Sequence, residues 1–85
     1  MEEQKKVVVY STPSCPYCHM AKEFLQKNNI SFEDVDVSTD IERQKEMIEK
    51  SGQMGVPVIT VGEDLIIGFD KPRLMMLLGI QELSA

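Results

Sequence analysis

The chain has 85 residues, 42% of them hydrophobic, which suits one packed domain over residues 1–85 and is too apolar for a disordered segment. Its net charge of −5, from 9 basic and 14 acidic residues with no basic run, argues against a nucleic-acid partner held through phosphates. No apolar run approaches the roughly 20 residues of a membrane helix, and the charged start Met1-Glu2-Glu3-Gln4-Lys5-Lys6 lacks a signal-peptide core. The expectation is therefore a cytoplasmic, monomeric protein with no membrane contact.

The first predicted element is a strand over residues 6–10, where Val7-Val8-Val9 is a β-branched run fit for burial. Residues 11–14 make a turn around Pro13. From Pro16 to about Asn28, Cys18, Ala21 and Leu25 recur three and four apart with Phe24 beside them, which predicts an amphipathic helix ending at Asn28-Asn29. Residues 30–37 alternate as a strand would, with Phe32, Val35 and Val37 apolar, although the alternation slips by one residue. Thr39-Asp40-Ile41-Glu42 has the form of a capping box, with Thr39 as N-cap. The helix it opens carries Ile41, Lys45 and Ile48 as a stripe with Met47 alongside, and Gly52 ends it. Residues 58–61 and 65–67 read as a hairpin across a Gly62-Glu63-Asp64 turn. Asp70 caps a last helix with Pro72 in its first turn, Leu74, Leu77 and Leu78 on its buried face and Gly79 at its end. Of the six methionines, Met47 and Met75-Met76 read as core filling. The order β-α-β-α-β-β-α predicts an α/β domain with a mixed four-stranded sheet and helices on both sides.

Chemistry concentrates in Cys15-Pro16-Tyr17-Cys18, placed directly after a strand and opening a helix. Where cytoplasmic thiols are kept reduced, such a pair points to catalysis or metal binding rather than a structural disulfide. A cysteine at a helix N-terminus faces unpaired N–H groups and the positive end of the helix dipole, both of which favour thiolate over thiol. Pro16 suits the first helical position, where its missing N–H is no loss. Cys18, one turn further in beside Ala21, is placed to attack a mixed disulfide formed on Cys15. Two other readings stand beside this one. The cysteines can be small core residues, or they can carry a soft metal. Structural zinc wants four ligands, and two Cys with His19 fall short of it, but two thiolates suffice for a Cu(I) carrier.

The run Tyr10-Ser11-Thr12-Pro13-Ser14-Cys15-Pro16-Tyr17-Cys18 resembles the active-site segment of the glutaredoxins. Gly55-Val56-Pro57 resembles their Thr-Val-Pro segment, and Gly68-Phe69-Asp70 the end of their Gly-Gly-x-Asp segment. The resemblance implies a thioredoxin fold and a thiol–disulfide oxidoreductase with no metal. Its substrates would be protein disulfides and glutathione mixed disulfides, with glutathione as co-substrate. It further implies that Pro57 is cis and faces Cys15, and that the Val56 backbone pairs with the cysteine of bound glutathione. Tyr17, Phe69, Asp70, Thr12 and Gln44 are the remaining glutathione contacts it suggests. Tyr17 also reads as a plain surface residue, Asp70 as a helix cap and Gln44 as part of a solvated helix face. The sequence departs from the pattern at Thr12, where many glutaredoxins carry a lysine, at Gly55 in place of threonine, and at Ile67 in place of the first glycine. Gly68-Phe69 is also similar to glutaredoxin-like electron donors reduced by thioredoxin reductase.

Overall fold

A computed structural model describes residues 6–79, so residues 1–5 and 80–85 lie outside the described part. In chain order the elements are β1 (Val7–Ser11), α1 (Pro16–Lys27), β2 (Glu33–Asp36), α2 (Ile41–Ser51), β3 (Val58–Val61), β4 (Asp64–Ile67) and α3 (Lys71–Leu78). The sheet runs β2-β1-β3-β4, with β1 parallel to β2 and antiparallel to β3, and β3 antiparallel to β4. The element order and the mixed sheet are those expected.

The period of two along a strand divides the core into halves. Val7 and Val9 of β1 join Ile59 and Val61 of β3 on one face, where Ala21 and Leu25 of α1 and Leu74 of α3 cover them. Val8 and Tyr10 join Val58 on the other face, where Met47 of α2 closes the layer. Both faces of β1 are buried, which is why its sequence is continuously apolar. Leu77 and Leu78 pack against the first layer as half-buried residues.

Several boundaries differ from expectation, each for a physical reason. β2 begins at Glu33 rather than residue 30, because α1 ends in a turn: Asn29 adopts φ 58° and the Ile30 N–H donates to the Leu25 carbonyl at 2.9 Å. The slip in alternation follows. Phe32 packs into the α1 layer, whereas Val35 and Val37 face α2.

The N-cap of α2 is Asp40 and not Thr39: an Asp40 carboxylate oxygen accepts the Arg43 N–H at 3.1 Å, while Thr39 Oγ1 donates to the Asp36 carbonyl at 3.4 Å. The Thr39 and Asp40 N–H groups both donate to Asp36 O, so the chain is still turning at Thr39. The inward face of α2 centres on Met47, and Ile41 is 66% exposed. Arg43 and Glu46 fill the space beside Met47 by reaching the rim of buried Tyr10. In α3, Met76 points to solvent and is not core. The hairpin turn is two residues long, since Asp64 already pairs with Val61, and Gly62 supplies the positive φ of 60° at its first position.

Candidate active site

Cys15 is the N-cap of α1, with extended backbone at φ −95° and ψ 110°. Its Sγ accepts the Cys18 N–H at 3.2 Å, taking one of the orphan donors of the first turn. That turn is held from three sides. The Cys15 N–H donates to Thr12 O at 3.3 Å, the His19 N–H donates to Cys15 O at 3.2 Å, and the His19 ring Nε2 reaches Pro13 O at 2.8 Å. His19, weighed from sequence only as a zinc ligand, thus fastens the loop carrying Cys15. The signal was its position six residues from Pro13, one helical turn beyond the loop.

Both cysteines are free thiols, Cys15 half-buried and Cys18 0% exposed. Burial pushes the Cys18 thiol up to about 12, assisted by its hydrogen bond with Cys15, while the Thr12 backbone and the Lys22 charge pull the other way. The pair is asymmetric: one sulfur can be reached from solvent, and the other stays protonated behind it.

The three segments that carried the resemblance meet here. Cys15 Sγ lies 3.8 Å from Val56 O, the Val56–Pro57 peptide is cis, as the resemblance implies, and the Gly68 N–H donates to Pro57 O at 2.8 Å. Val56 is half-buried and Pro57 buried. Gly55 is held by Gln53, whose side-chain oxygen accepts the Gly55 N–H at 2.7 Å and whose Nε2 donates to Gly55 O at 2.9 Å. A Cβ on Gly55 would meet Gln53 Oε1 at 2.8 Å, so a larger residue here would displace the end of this side chain and open the clasp. Gln53 was missed in sequence, since only its Gln-x-Gly spacing hints at the clasp.

The other residues suggested as glutathione contacts fall in varied settings. Tyr17 is 62% exposed beside the cysteines, and Thr12 is half-buried in the preceding turn. Asp70 is exposed and caps α3, a carboxylate oxygen accepting the Arg73 N–H at 3.3 Å. Phe69 sits against Phe24 of α1, ring centroids 5.9 Å apart. Gln44 is half-buried in α2, its N–H on Asp40 O at 3.0 Å. Among the described residues, no group of three or more His, Cys, Asp or Glu is placed to hold a metal ion, and no helix is long and apolar enough to cross a membrane.

A βαβ unit and a hairpin that present Cys-x-x-Cys at a helix N-terminus against a cis-proline segment define a thioredoxin-fold thiol–disulfide oxidoreductase. The glutaredoxin family model matches residues 7–66, which is most of the chain. The chain belongs to the glutaredoxin family. It is 44% identical over 68 residues to an uncharacterised glutaredoxin-like 8.6 kDa protein in the rubredoxin operon of Clostridium pasteurianum, covering 80% of this chain and 91% of that one. It is 36% identical over 64 residues to glutaredoxin 3 of Escherichia coli K12, covering 75% and 77% respectively. Among solved structures, the thioredoxin-like protein BC3987 superposes with a TM-score of 0.81 at 32% identity, over 86% of this chain and all (100%) of that one.

Proposed function

We propose that this protein reduces protein disulfides and glutathione mixed disulfides, with Cys15 as nucleophile, Cys18 as resolving thiol and glutathione as reductant. The observation that carries the reading is the asymmetry of the two sulfurs, one accessible at a helix N-terminus and one 0% exposed a turn behind it. The Cys15 thiolate attacks a substrate disulfide, one substrate sulfur leaves as thiolate, and a mixed disulfide remains on Cys15. Either Cys18 attacks Cys15 Sγ and closes the intramolecular disulfide, or glutathione attacks the mixed disulfide and frees Cys15.

Val56 and Pro57 form the wall against which an extended substrate backbone would lie, because the Val56 carbonyl stands 3.8 Å from the nucleophile. Tyr17 would cover the sulfur from the solvent side. Asp70, already accepting one backbone N–H, would offer its carboxylate to the amino group of glutathione. Thr12 brings no positive charge to a glutathione carboxylate, so binding would rest on backbone contacts and Asp70.

The test is turnover of the two single cysteine variants on two substrates. Cys15→Ser should abolish all reduction. Cys18→Ser should lose reduction of protein disulfides and keep removal of glutathione from a glutathionylated protein. Turnover by Cys15→Ser would overturn the assignment, and stoichiometric Cu(I) binding without turnover in the intact chain would replace it with a metal carrier. Re-reduction of the oxidised protein, compared between glutathione and thioredoxin reductase with NADPH, identifies the reductant.

A further inference from the structure

Lys22 lies one helical turn beyond Cys18 on α1, a spacing that sets the two on one face. A lysine on a surface helix ordinarily extends into water. The side chain of Lys22 does not: it is 18% exposed and folds back onto the sheet, where Nζ donates to Asp34 Oδ2 of β2 at 3.1 Å and to Ser11 Oγ of β1 at 3.4 Å. Ser11 Oγ in turn donates to Asp34 Oδ1 at 3.0 Å. Ser11 and Thr60 are the two buried polar residues among those described, and Ser11 ends the strand that leads into the Cys15 loop. A hydrogen-bonded triad therefore pins a cation on the flank of α1 that carries the buried thiol. The sheet ladder and the helix do not need it, for Ser11 already pairs through its backbone with Asp36 and accepts the Val37 N–H at 2.9 Å.

We propose that Lys22, clasped by Ser11 and Asp34, is a positioning residue that supports Cys18 as the thiolate that resolves the mixed disulfide. The inference rests on the dithiol reading above. Cys18 must lose a proton within a low-dielectric layer at the moment it attacks, and a fixed cation one turn away favours the charged form there. The groups around Cys18 are few. Cys15 lies across the first turn of α1 and opposes ionisation, the Thr12 backbone and then the Lys22 charge favour it, and β2 contributes Asp34 and Asp36, both of which act on Lys22. His19 is turned away onto Pro13 O, and β3 reads Val-Ile-Thr-Val, without a charge.

The step can be isolated with one equivalent of an aryl disulfide whose thiolate is coloured. The Cys15 thiolate attacks one sulfur, forming the Cys15–aryl bond and releasing the first aryl thiolate. Cys18 gives its proton to solvent and attacks Cys15 Sγ. The Cys15–Cys18 bond forms, the Cys15–aryl bond breaks and the second aryl thiolate leaves. The protein dithiol is oxidised by two electrons and the aryl disulfide is reduced by two.

The second release, followed against pH by stopped flow, reads the ionisation of Cys18, and the first release is the internal reference. A one-unit rise in thiol pKa lowers the thiolate fraction about tenfold and returns about 2.5- to 3-fold in nucleophilicity, so Lys22→Met should slow the second release by up to about 3- to 4-fold at neutral pH and move its pH profile upward. Lys22→Arg, which keeps the charge, should restore most of the rate. Asp34→Asn leaves an amide oxygen and Ser11 Oγ to hold the ammonium and removes only the carboxylate charge that partly cancels it, so its second release should match or exceed wild type.

A clasp that merely holds α1 to β2 would slow both Lys22→Met and Asp34→Asn alike, without moving the pH profile, and that outcome would overturn the inference. A wild-type profile for Lys22→Met would overturn it equally, while leaving the dithiol reading intact. Absence of any Cys18-dependent second release in the wild type would remove the dithiol reading itself, and this inference with it.

Discussion

Native alkylation should discriminate the two cysteines sharply, and the structure sets the scale. Burial pushes the Cys18 thiol from 9.0 up to about 12. Near neutral pH a rise of about three units removes about a thousandfold of reactive thiolate. The stronger intrinsic nucleophilicity of a high-pKa thiolate returns about 15- to 30-fold, leaving a deficit of about 30- to 60-fold from ionisation alone. Zero exposure adds to this, since iodoacetamide must reach a sulfur packed in the helix–sheet layer. The assay is brief alkylation of the reduced native protein, stopped at partial modification, with the modified peptides quantified by mass spectrometry. Label should appear at Cys15 and be at least about 30-fold slower at Cys18 than in protein unfolded by urea. Equal native and unfolded rates at Cys18 would show that its thiol is neither buried nor raised, and the asymmetry on which the two roles depend would be gone.

Three further outcomes follow from particular contacts. Asp40→Ala should cost about 0.5–2 kcal/mol in urea unfolding and Thr39→Ala only a few tenths, because Asp40 accepts the Arg43 N–H; the reverse order would restore Thr39 as the cap. Tyr10 is raised above the ordinary phenol range of about 10, first by burial and then by its hydrogen bond to Glu46, so its contribution is complete below that range and is lost as pH rises through the raised value. Tyr10→Phe should therefore be about 1 kcal/mol less stable than wild type at neutral pH, with the gap closing in alkali; a gap constant with pH would refute the linkage. Thr12→Lys should lower the KM for glutathione up to about fivefold at low salt, the scale of an exposed ion pair, and most of the gain should vanish at high salt; unchanged kinetics at low salt would remove the argument from Thr12.

Much of the fold was legible because burial writes itself into local pattern. β1 is apolar without a break because both its faces are covered, and α1 shows its three-and-four spacing because one face meets Val9 and Ile59. What misled was local pattern under tertiary control. Ile41 completed a stripe on paper, yet α2 meets the sheet through Met47 with Ile48 half-buried beside it, and the polar Arg43 and Glu46 take positions the stripe did not include. Glu46 accepts from the Tyr10 hydroxyl, Lys50 Nζ stands 3.5 Å from the same oxygen, and Arg43 lies 5.8 Å over the ring while pairing with Glu33 at 3.0 Å. These are polar residues doing the packing of a helix face, which a hydrophobicity pattern reads as solvent. Thr39 failed for a related reason, since Asp36 had already claimed the turn through the N–H groups of Ser38, Thr39 and Asp40.

The site divides along the same line. Cys15, Pro16 and Cys18 were legible because their chemistry depends on a helix N-terminus, a local object that four consecutive residues define. Val56 could be attached to them only through the resemblance, because nothing within residues 10–18 says which segment lies 41 positions away in sequence and 3.8 Å away in space. Lys22 is the instructive intermediate. Its spacing from Cys18 is visible in sequence and would ordinarily mean a solvated lysine on a helix. Its partner Asp34 stands 12 residues on, in an edge strand whose register alone brings the carboxylate beside Ser11. Pairing Ser11 with Asp36 places Asp34 two positions back along β2, on the same face of its strand, where the Ser11 hydroxyl reaches it. A shift of that register by one residue would turn Asp34 to the opposite face and free Lys22 to water. The electrostatic setting of Cys18 is thus decided by strand pairing, which explains why the motif names the two sulfurs and leaves their surroundings to the fold.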